Sequence, residues 1–334
     1  MDTKEKGKKI RWGILGAGKI AHSFTNDFAA TQNGSLVAVA ARDVNRAREF
    51  AQQYNIPHAY DYESLYNSIE VDAVYIATTH NFHYEQCIQC ILHGKHVLCE
   101  KPITLNDAQF NAIARLAAEK KVFVMEAMWT WFLPAIVKAK NWLQQGRIGD
   151  LKVIEANFGF PMEKNLAGRL YNINLAGGAL LDLGVYPIAL ASFMMEQAPA
   201  KIIASGEFTS TGVDERTGII LQYENVTATL FTSLINIMSN KAMLYGEAGY
   251  IEIPDFFKAS TVRLYDSFHK LVDEYTDDRT TKGYNFEIQH ATDCIAKGLL
   301  QSDVVTHKKS RLVQEIMTTV RQQIGLEYPG EHEF

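Results

Sequence analysis

The sequence predicts an α/β protein of two domains: an N-terminal doubly wound parallel sheet, then an α/β domain built on a large, open, mainly antiparallel sheet. Three observations predict it. Apolar strands alternate with amphipathic helices through the first third of the chain. The first of those strands runs directly into a glycine-rich turn. From Ile202 to Tyr275 strand follows strand with no intervening helix, the pattern of antiparallel pairing.

In the first third, the β-rich runs are Ile10–Leu15, Leu36–Ala41, Val71–Ala77, His96–Cys99 and Val122–Met125. Helical patterns over Asn45–Tyr54, Asn81–His93 and Leu105–Lys120 separate them, which implies right-handed crossovers. A tryptophan-rich stretch (Trp129, Trp131, Phe132) then leads to a helix closed by Gln145-Gly146, a glycine C-cap signal. A strand over Leu151–Phe160 and a helix of about four turns over Gly178–Met195 follow. Thr217–Tyr223, Thr227–Leu234 and Lys241–Tyr245 are strands of the second sheet, and helices over Tyr284–Leu299 and Lys308–Ile324 close the chain. The division falls at residues 1–126 and 127–334, with no low-complexity linker between them.

Length and composition bound the function. A chain of 334 residues suits two domains, and 47% hydrophobic with 21% charged residues is a globular profile. The net charge of −5 is spread without a basic stripe, so nucleic acid is not an expected partner. The charged start has no apolar signal-like region, and no run of about 18 apolar residues is evident, so neither secretion nor a membrane span is expected. Four cysteines suit a reducing, cytoplasmic setting. Cys87 and Cys90 form a C-x-x-C inside a helix without a second pair at zinc spacing, so packing is the expected role. No metal is expected.

Gly16-Ala17-Gly18-Lys19-Ile20-Ala21 reads as G-x-G-x-x-A between a strand and a helix. Gly16 permits the tight turn, Gly18 lets backbone approach a pyrophosphate, and the helix start at Lys19 and Ile20 offers unpaired N–H groups. NAD selectivity calls for a carboxylate at the end of the second strand, where this chain has Arg42. A guanidinium there suits a 2′-phosphate, which favours NADP over NAD. Asp43 follows at once and serves either as a 2′-hydroxyl ligand or as the cap of the next helix. The fourth strand empties into Thr78, Thr79, His80, Asn81 and His83, placed to contact the nicotinamide half or to start a helix.

Glu100-Lys101-Pro102 follows the fifth strand. The Lys101 ammonium is suited to orient a substrate hydroxyl and stabilise a developing alkoxide. In the second domain Asp182 and Tyr186 are spaced i and i+4 in an apolar helix. A carboxylate among apolar residues calls for a cationic or hydrogen-bonding partner, and Lys101 is the candidate. A nearby ammonium would make the Tyr186 phenol a usable acid or base.

Together these motifs resemble the glucose–fructose oxidoreductase, inositol dehydrogenase and rhizopine-catabolism (Gfo/Idh/MocA) family, over nearly the whole chain. Glu126-Ala127-Met128-Trp129-Thr130 and the closing Gly325…Tyr328-Pro329 are similar to its dihydrodiol dehydrogenase branch, also described as NADP-linked D-xylose 1-dehydrogenases. The resemblance implies a Rossmann domain binding the cofactor through Gly16, Gly18, Lys19, Ile20, Arg42, Thr78, Asn81, His83, Glu100 and Lys101. It implies Lys101, Asp182 and Tyr186 as catalytic, with Tyr186 where many relatives have histidine. Trp129, Phe158, Arg169 and Tyr186 then face a small-molecule substrate. Two departures bear on which substrate: Trp131 stands where the branch has a basic residue, and no tryptophan lies near Phe256-Phe257. The implied activity is NADP-dependent hydride transfer to or from a secondary alcohol or carbonyl of a cyclic diol, sugar or dicarbonyl compound. Either Tyr186 or Lys101 is the proton acceptor. A dinucleotide-binding regulator without catalysis is the alternative. The family's open sheet implies a homodimer or homotetramer.

Overall fold

The computed structural model describes residues 9–331. In chain order its first elements are β1 (Ile10–Leu15), α1 (Lys19–Phe28), β2 (Gly34–Ala40), α2 (Val44–Tyr54), β3 (His58–Tyr60) and α3 (Tyr62–Asn67). Then come β4 (Ala73–Ile76), α4 (His80–Leu92), β5 (His96–Glu100), α5 (Asp107–Lys120) and β6 (Val124–Ala127). After a 3-10 turn at Trp129–Phe132 follow α6 (Pro134–Gln144) and β7 (Leu151–Gly159). A π turn at Leu180–Gly184 opens α7 (Val185–Met195). Seven strands succeed it: β8 (Lys201–Phe208), β9 (Asp214–Gln222), β10 (Thr227–Ser233), β11 (Ala242–Gly246), β12 (Gly249–Ile253), β13 (Thr261–Asp266) and β14 (Leu271–Thr276). Helices α8 (Tyr284–Ala296) and α9 (His307–Ile324) close the described chain.

Among the described residues two compact units result, one of residues 9–103, 110–127 and 281–307, the other of 104–109, 128–280 and 308–331. The first holds a parallel six-stranded sheet of order β3-β2-β1-β4-β5-β6. The order reverses between β1 and β4, so their carboxyl ends open the crevice where doubly wound sheets bind ligands. Leu15, Val74, Ile76, Val97 and Cys99 fill its core with the helices, and Cys87 and Cys90 are packed there as fully buried thiols.

The helix α8 lies in this first unit although a division at residue 127 puts it with the second half. The reason is local chemistry. Asp27, near the end of α1, accepts hydrogen bonds from the backbone N–H of Lys282, Gly283 and Tyr284, capping α8 with a carboxylate where the helix dipole favours one. The Trp12 indole N–H of β1 donates to Thr292 Oγ1 at 3.1 Å.

The second unit carries the eight-stranded sheet, order β14-β13-β12-β11-β7-β10-β9-β8. All its pairings are antiparallel except that between β7 and β10. Residues Ile173–Met195 form the one segment among those described that is long and apolar enough, by length and composition, to cross a membrane. Of its most apolar 18 residues 89% are buried within the protein, because α7 is apolar on every side and packs against β7 and β10 as a core helix.

Candidate functional site

In the first unit the glycine turn leaves β1 with Gly16 at φ +107°, a conformation that side-chain-bearing residues rarely adopt. A Cβ there would also stand 2.9 Å from the Ala77 carbonyl oxygen. Gly16 N–H donates to Ala40 O at 2.8 Å, tying the turn to the end of β2. Gly18 is the N-cap of α1, with no side chain to bond the first N–H groups and no acidic residue in the first turn. Lys19 and Ile20 therefore begin a helix whose positive end is left for an anion.

At the end of β2, Asp43 caps α2 by accepting the Asn45 N–H at 2.9 Å. Arg42 is exposed beside it, and Arg46 reaches back to the Ala17 carbonyl at 3.4 Å. Burial raises the Tyr62 phenol, while the charges of Arg42 and Arg46 pull it down, which puts both guanidinium groups in one neighbourhood. Arg46 was absent from the sequence reading. Its signal was there: a second arginine one helical turn from the first.

After β4, Thr78 Oγ1 donates to Gln86 at 2.6 Å and Thr79 Oγ1 to Asn81 at 2.8 Å. The His83 ring is fully buried between two carbonyls, Nδ1 at 2.9 Å from Pro102 O and Nε2 at 3.2 Å from Thr78 O. It thus binds the end of β4 to the turn that follows β5. That turn carries Lys101, which is half-buried and joined to Pro102 by a cis peptide bond.

Below the lysine lies an acidic layer. Glu100 accepts from the Tyr75 hydroxyl and from Lys101 N–H at 3.3 Å, and Glu126 accepts from Ile103 N–H at 3.1 Å. Glu287 of α8 is wholly buried, with no hydrogen-bond partner for either carboxyl oxygen. Burial first, and then the charge of Glu100, push its carboxyl well above the ordinary range. Tyr75, Glu126 and Glu287 were not assigned to the site from sequence, since each is brought in by a strand or helix distant in the chain.

In the second unit the catalytic candidates occupy the start of α7. Val185 N–H donates to Leu180 O, the wider i to i+5 pattern of a π turn, so Asp182 and Tyr186 stand in two kinds of helix rather than one regular four-turn helix. Such turns are frequent at functional sites. Asp182 Oδ1 accepts from Arg169 Nη1 at 2.7 Å, which supplies a cationic partner within its own unit. Asp214 caps the same segment: its Oδ2 accepts from Leu180 N–H at 2.8 Å and from Thr217 Oγ1 at 2.7 Å.

Tyr186 is 9% exposed, and its phenol oxygen accepts the Trp129 indole N–H at 3.3 Å. Phe158 meets the Tyr186 ring edge-on at 5.3 Å and lies 4.4 Å from Phe257 between ring centres. Trp129, Phe158 and Phe257 thus gather around the Tyr186 side chain. Trp131, by contrast, is core: its N–H donates to Ala189 O at 3.1 Å and its ring stacks on Phe193.

Comparison with known proteins places this arrangement. Residues 10–128 match the model of an oxidoreductase family with an NAD-binding Rossmann fold, and residues 136–252 match the GFO/IDH/MocA C-terminal domain. The chain is 39% identical over 335 residues to trans-1,2-dihydrobenzene-1,2-diol dehydrogenase from Mus musculus, covering 96% of this chain and 99% of that protein. The Homo sapiens protein of the same name is 36% identical over 334 residues, again covering 96% and 99%. Among solved structures, a 3-ketoreductase from Actinomadura kijaniata in complex with NADP and TDP-benzene superimposes with a TM-score of 0.86 at 23% identity, covering 94% of this chain and 98% of that one. An aldose-aldose oxidoreductase from Caulobacter crescentus gives 0.87 at 21%, covering 94% and 97%. By sequence over its whole length and by the fold of both units, the chain belongs to the Gfo/Idh/MocA oxidoreductase family, in the branch of the trans-1,2-dihydrobenzene-1,2-diol dehydrogenases.

Proposed function

We propose that the protein is an NADP-dependent dehydrogenase of secondary alcohols, acting on a cyclic vicinal diol or a sugar, or in reverse on the matching carbonyl. One observation carries the choice of chemistry: a tyrosine phenol nine-tenths buried, fixed by the Trp129 N–H and walled by Phe158 and Phe257. Aromatic faces suit the apolar side of a ring substrate, while the phenol and the Arg169–Asp182 pair address its hydroxyl groups. The dehydrogenase names of relatives at 36–39% identity support the same reading.

The residues present fit a nicotinamide dinucleotide. Gly16 and Gly18 leave room for its pyrophosphate and the start of α1 offers N–H groups. With Asp43 engaged as a helix cap, Arg42 and Arg46 are the groups for a 2′-phosphate, and this is why NADP is proposed over NAD. The bound cofactor supplies the hydride acceptor or donor. Tyr186 Oη exchanges the substrate hydroxyl proton, Lys101 steadies the developing alkoxide, and Asp182 keeps the charge balance of the polar groups around it.

The test is nicotinamide absorbance with NADP⁺ and with NAD⁺ over a panel of cyclic vicinal diols and pentoses. Turnover with NADP⁺ that falls in Lys101→Ala is the expected result. Tight cofactor binding without turnover on any member would overturn the proposal.

We also propose a homodimer or homotetramer formed through the outer face of the second sheet. Ile203 and Ile220 are paired across β8 and β9 and stand exposed, with Phe231 exposed on β10 of the same face. Sedimentation of Ile220→Lys tests it, and an oligomer unaffected by that charge would refute this interface.

A further inference from the structure

We propose a binding site for a thiophilic divalent cation of the zinc class on the first unit, formed by His290, Cys294 and Asp303. The three offer one imidazole nitrogen, one thiol and one carboxylate, with all ligand atoms within 4.8 Å of one another. The Cys294 Sγ to His290 Nε2 distance is 3.4 Å, and that from Nε2 to Asp303 Oδ1 is also 3.4 Å. A tetrahedral zinc with ordinary bond lengths places sulfur, nitrogen and oxygen ligands about 3.3–3.6 Å apart. Two of the three separations therefore match a tetrahedral ion as they stand, and the third, between Cys294 and Asp303, lies within 4.8 Å and closes by rotation of the exposed Asp303 side chain.

The sequence places the ligands there for simple reasons. His290 and Cys294 are spaced i and i+4, so both project from one face of α8. The chain turns back after the helix, and Ser302 stabilises the turn by accepting the N–H groups of Val304 at 3.0 Å and Val305 at 2.8 Å. This return brings Asp303 beside the helix from nine residues further along the chain. A search for C-x-x-C pairs misses it, because the third ligand is set by the turn and not by motif spacing. Ser302 Oγ hydrogen-bonds His290 Nε2 at 2.7 Å, closer than two ligands of one ion stand, so metal binding would replace that hydrogen bond and water would take the fourth position.

The gradient of exposure gives an entry path. Cys294 is 4% exposed, the His290 side chain 21%, and that of Asp303 83%, so an ion would meet the carboxylate first and the thiolate last. One thiolate, one imidazole and one carboxylate select zinc or its analogues over calcium or magnesium. A bound ion would cross-link α8 to the 300–305 return, whose Leu300 O accepts the Val124 N–H of β6 at 3.3 Å. Binding only to the folded protein stabilises it by mass action.

The experiment uses the full chain after treatment with a chelator. Cobalt(II) is titrated and the thiolate-to-cobalt charge-transfer absorption recorded, followed by displacement with zinc(II). Wild type is expected to show the band at one equivalent, to lose it to zinc and to melt at a higher temperature with zinc present. Cys294→Ser should abolish the band. Asp303→Asn alters an exposed side chain, so it should fold normally and bind at least about tenfold more weakly. Absence of the band in wild type would overturn the proposal, leaving His290 and Ser302 as a plain turn-closing hydrogen bond. A band of equal affinity in Asp303→Asn would overturn it too, and this variant decides the matter even if Cys294→Ser does not fold.

Discussion

Arg169 Nη1 donates to Asp182 Oδ1 at 2.7 Å, joining a 3-10 turn at Arg169–Tyr171 to the π turn that opens α7. The Asp182 side chain is 12% exposed, so its charge is poorly served by water, and the guanidinium is what the second unit offers in place of it. Removing the arginine should therefore disturb the carboxylate more than the fold. Arg169→Ala is expected to lower kcat/KM by about tenfold or more, the size of a hydrogen bond to a charged group, with Arg169→Lys recovering part. Steady-state kinetics of both variants checks this. Equal rates in wild type and Arg169→Ala would separate the pair from catalysis.

The phenol of Tyr186 accepts from the Trp129 indole. The indole N–H holds that oxygen in one position, which suits the proposed role of exchanging a proton with substrate. Tyr186→Phe keeps the ring contacts with Phe158 and Phe257 and removes only the oxygen. It should reduce kcat by at least about a hundredfold, the range of general acid–base catalysis, and erase the limb of the pH–rate profile that belongs to the phenol. If that limb persists, Lys101 is the proton acceptor.

Local patterns made much of this molecule legible. The strand into G-x-G-x-x-A, the alternation before Val124 and the strand run after Lys201 are set by neighbouring residues, and all appear in the structure. What escaped depends on partners distant in the chain. β3 has three residues, too few for periodicity to show. α8 joins the first unit because Asp27 caps it from 255 residues away. Asp214, Glu126 and Glu287 look like ordinary acids until the fold buries them. At the π turn Gly184 packs where a Cβ would press on Leu180 and Thr232, the latter 48 residues on, a crowding that no local propensity signals.

Asp43 caps α2, and the proposed use of NADP gives its neighbour Arg42 the 2′-phosphate. Asp43→Ala removes a cap and should cost about 1 kcal/mol of stability, read by chemical denaturation, while leaving the ratio of NADP to NAD use unchanged. Arg42→Ala should do the reverse, raising KM for NADP by about tenfold or more and leaving that for NAD in place. A loss of NAD use in Asp43→Ala would instead assign the carboxylate to a ribose hydroxyl.

Gly178 has φ +116°, and a Cβ there would lie 2.2 Å from Asp214 Oδ1. Gly178→Ala is expected to destabilise by more than about 1 kcal/mol through backbone conformation, with the cost of displacing the buried carboxylate added. Thermal melting of the purified variant measures it. An unchanged melting temperature would mean that the turn relaxes freely, which the Tyr328 hydroxyl bonded to Gly177 O at 2.6 Å opposes.

The same carboxylate gives stability a pH dependence of definite sign. Burial raises Asp214 to about 6 from an ordinary 3.8, against the opposing hydrogen bonds from Thr217 and Leu180. Its folded state thus holds the proton more tightly than the unfolded chain. The resulting stabilisation is complete below about pH 4 and is lost as pH rises through about 6. A shift of this size corresponds to about 3 kcal/mol between the two ends of the window. Asp214→Asn cannot titrate, and its amide oxygen can still accept from Leu180 N–H and Thr217. The stability of wild type relative to Asp214→Asn should therefore rise as pH falls from 6 to 4 and stay level above 7. Urea denaturation of both proteins across that range reads the difference directly. A constant difference would show that Asp214 keeps the same proton affinity folded and unfolded, and that its capping bonds fully offset its burial.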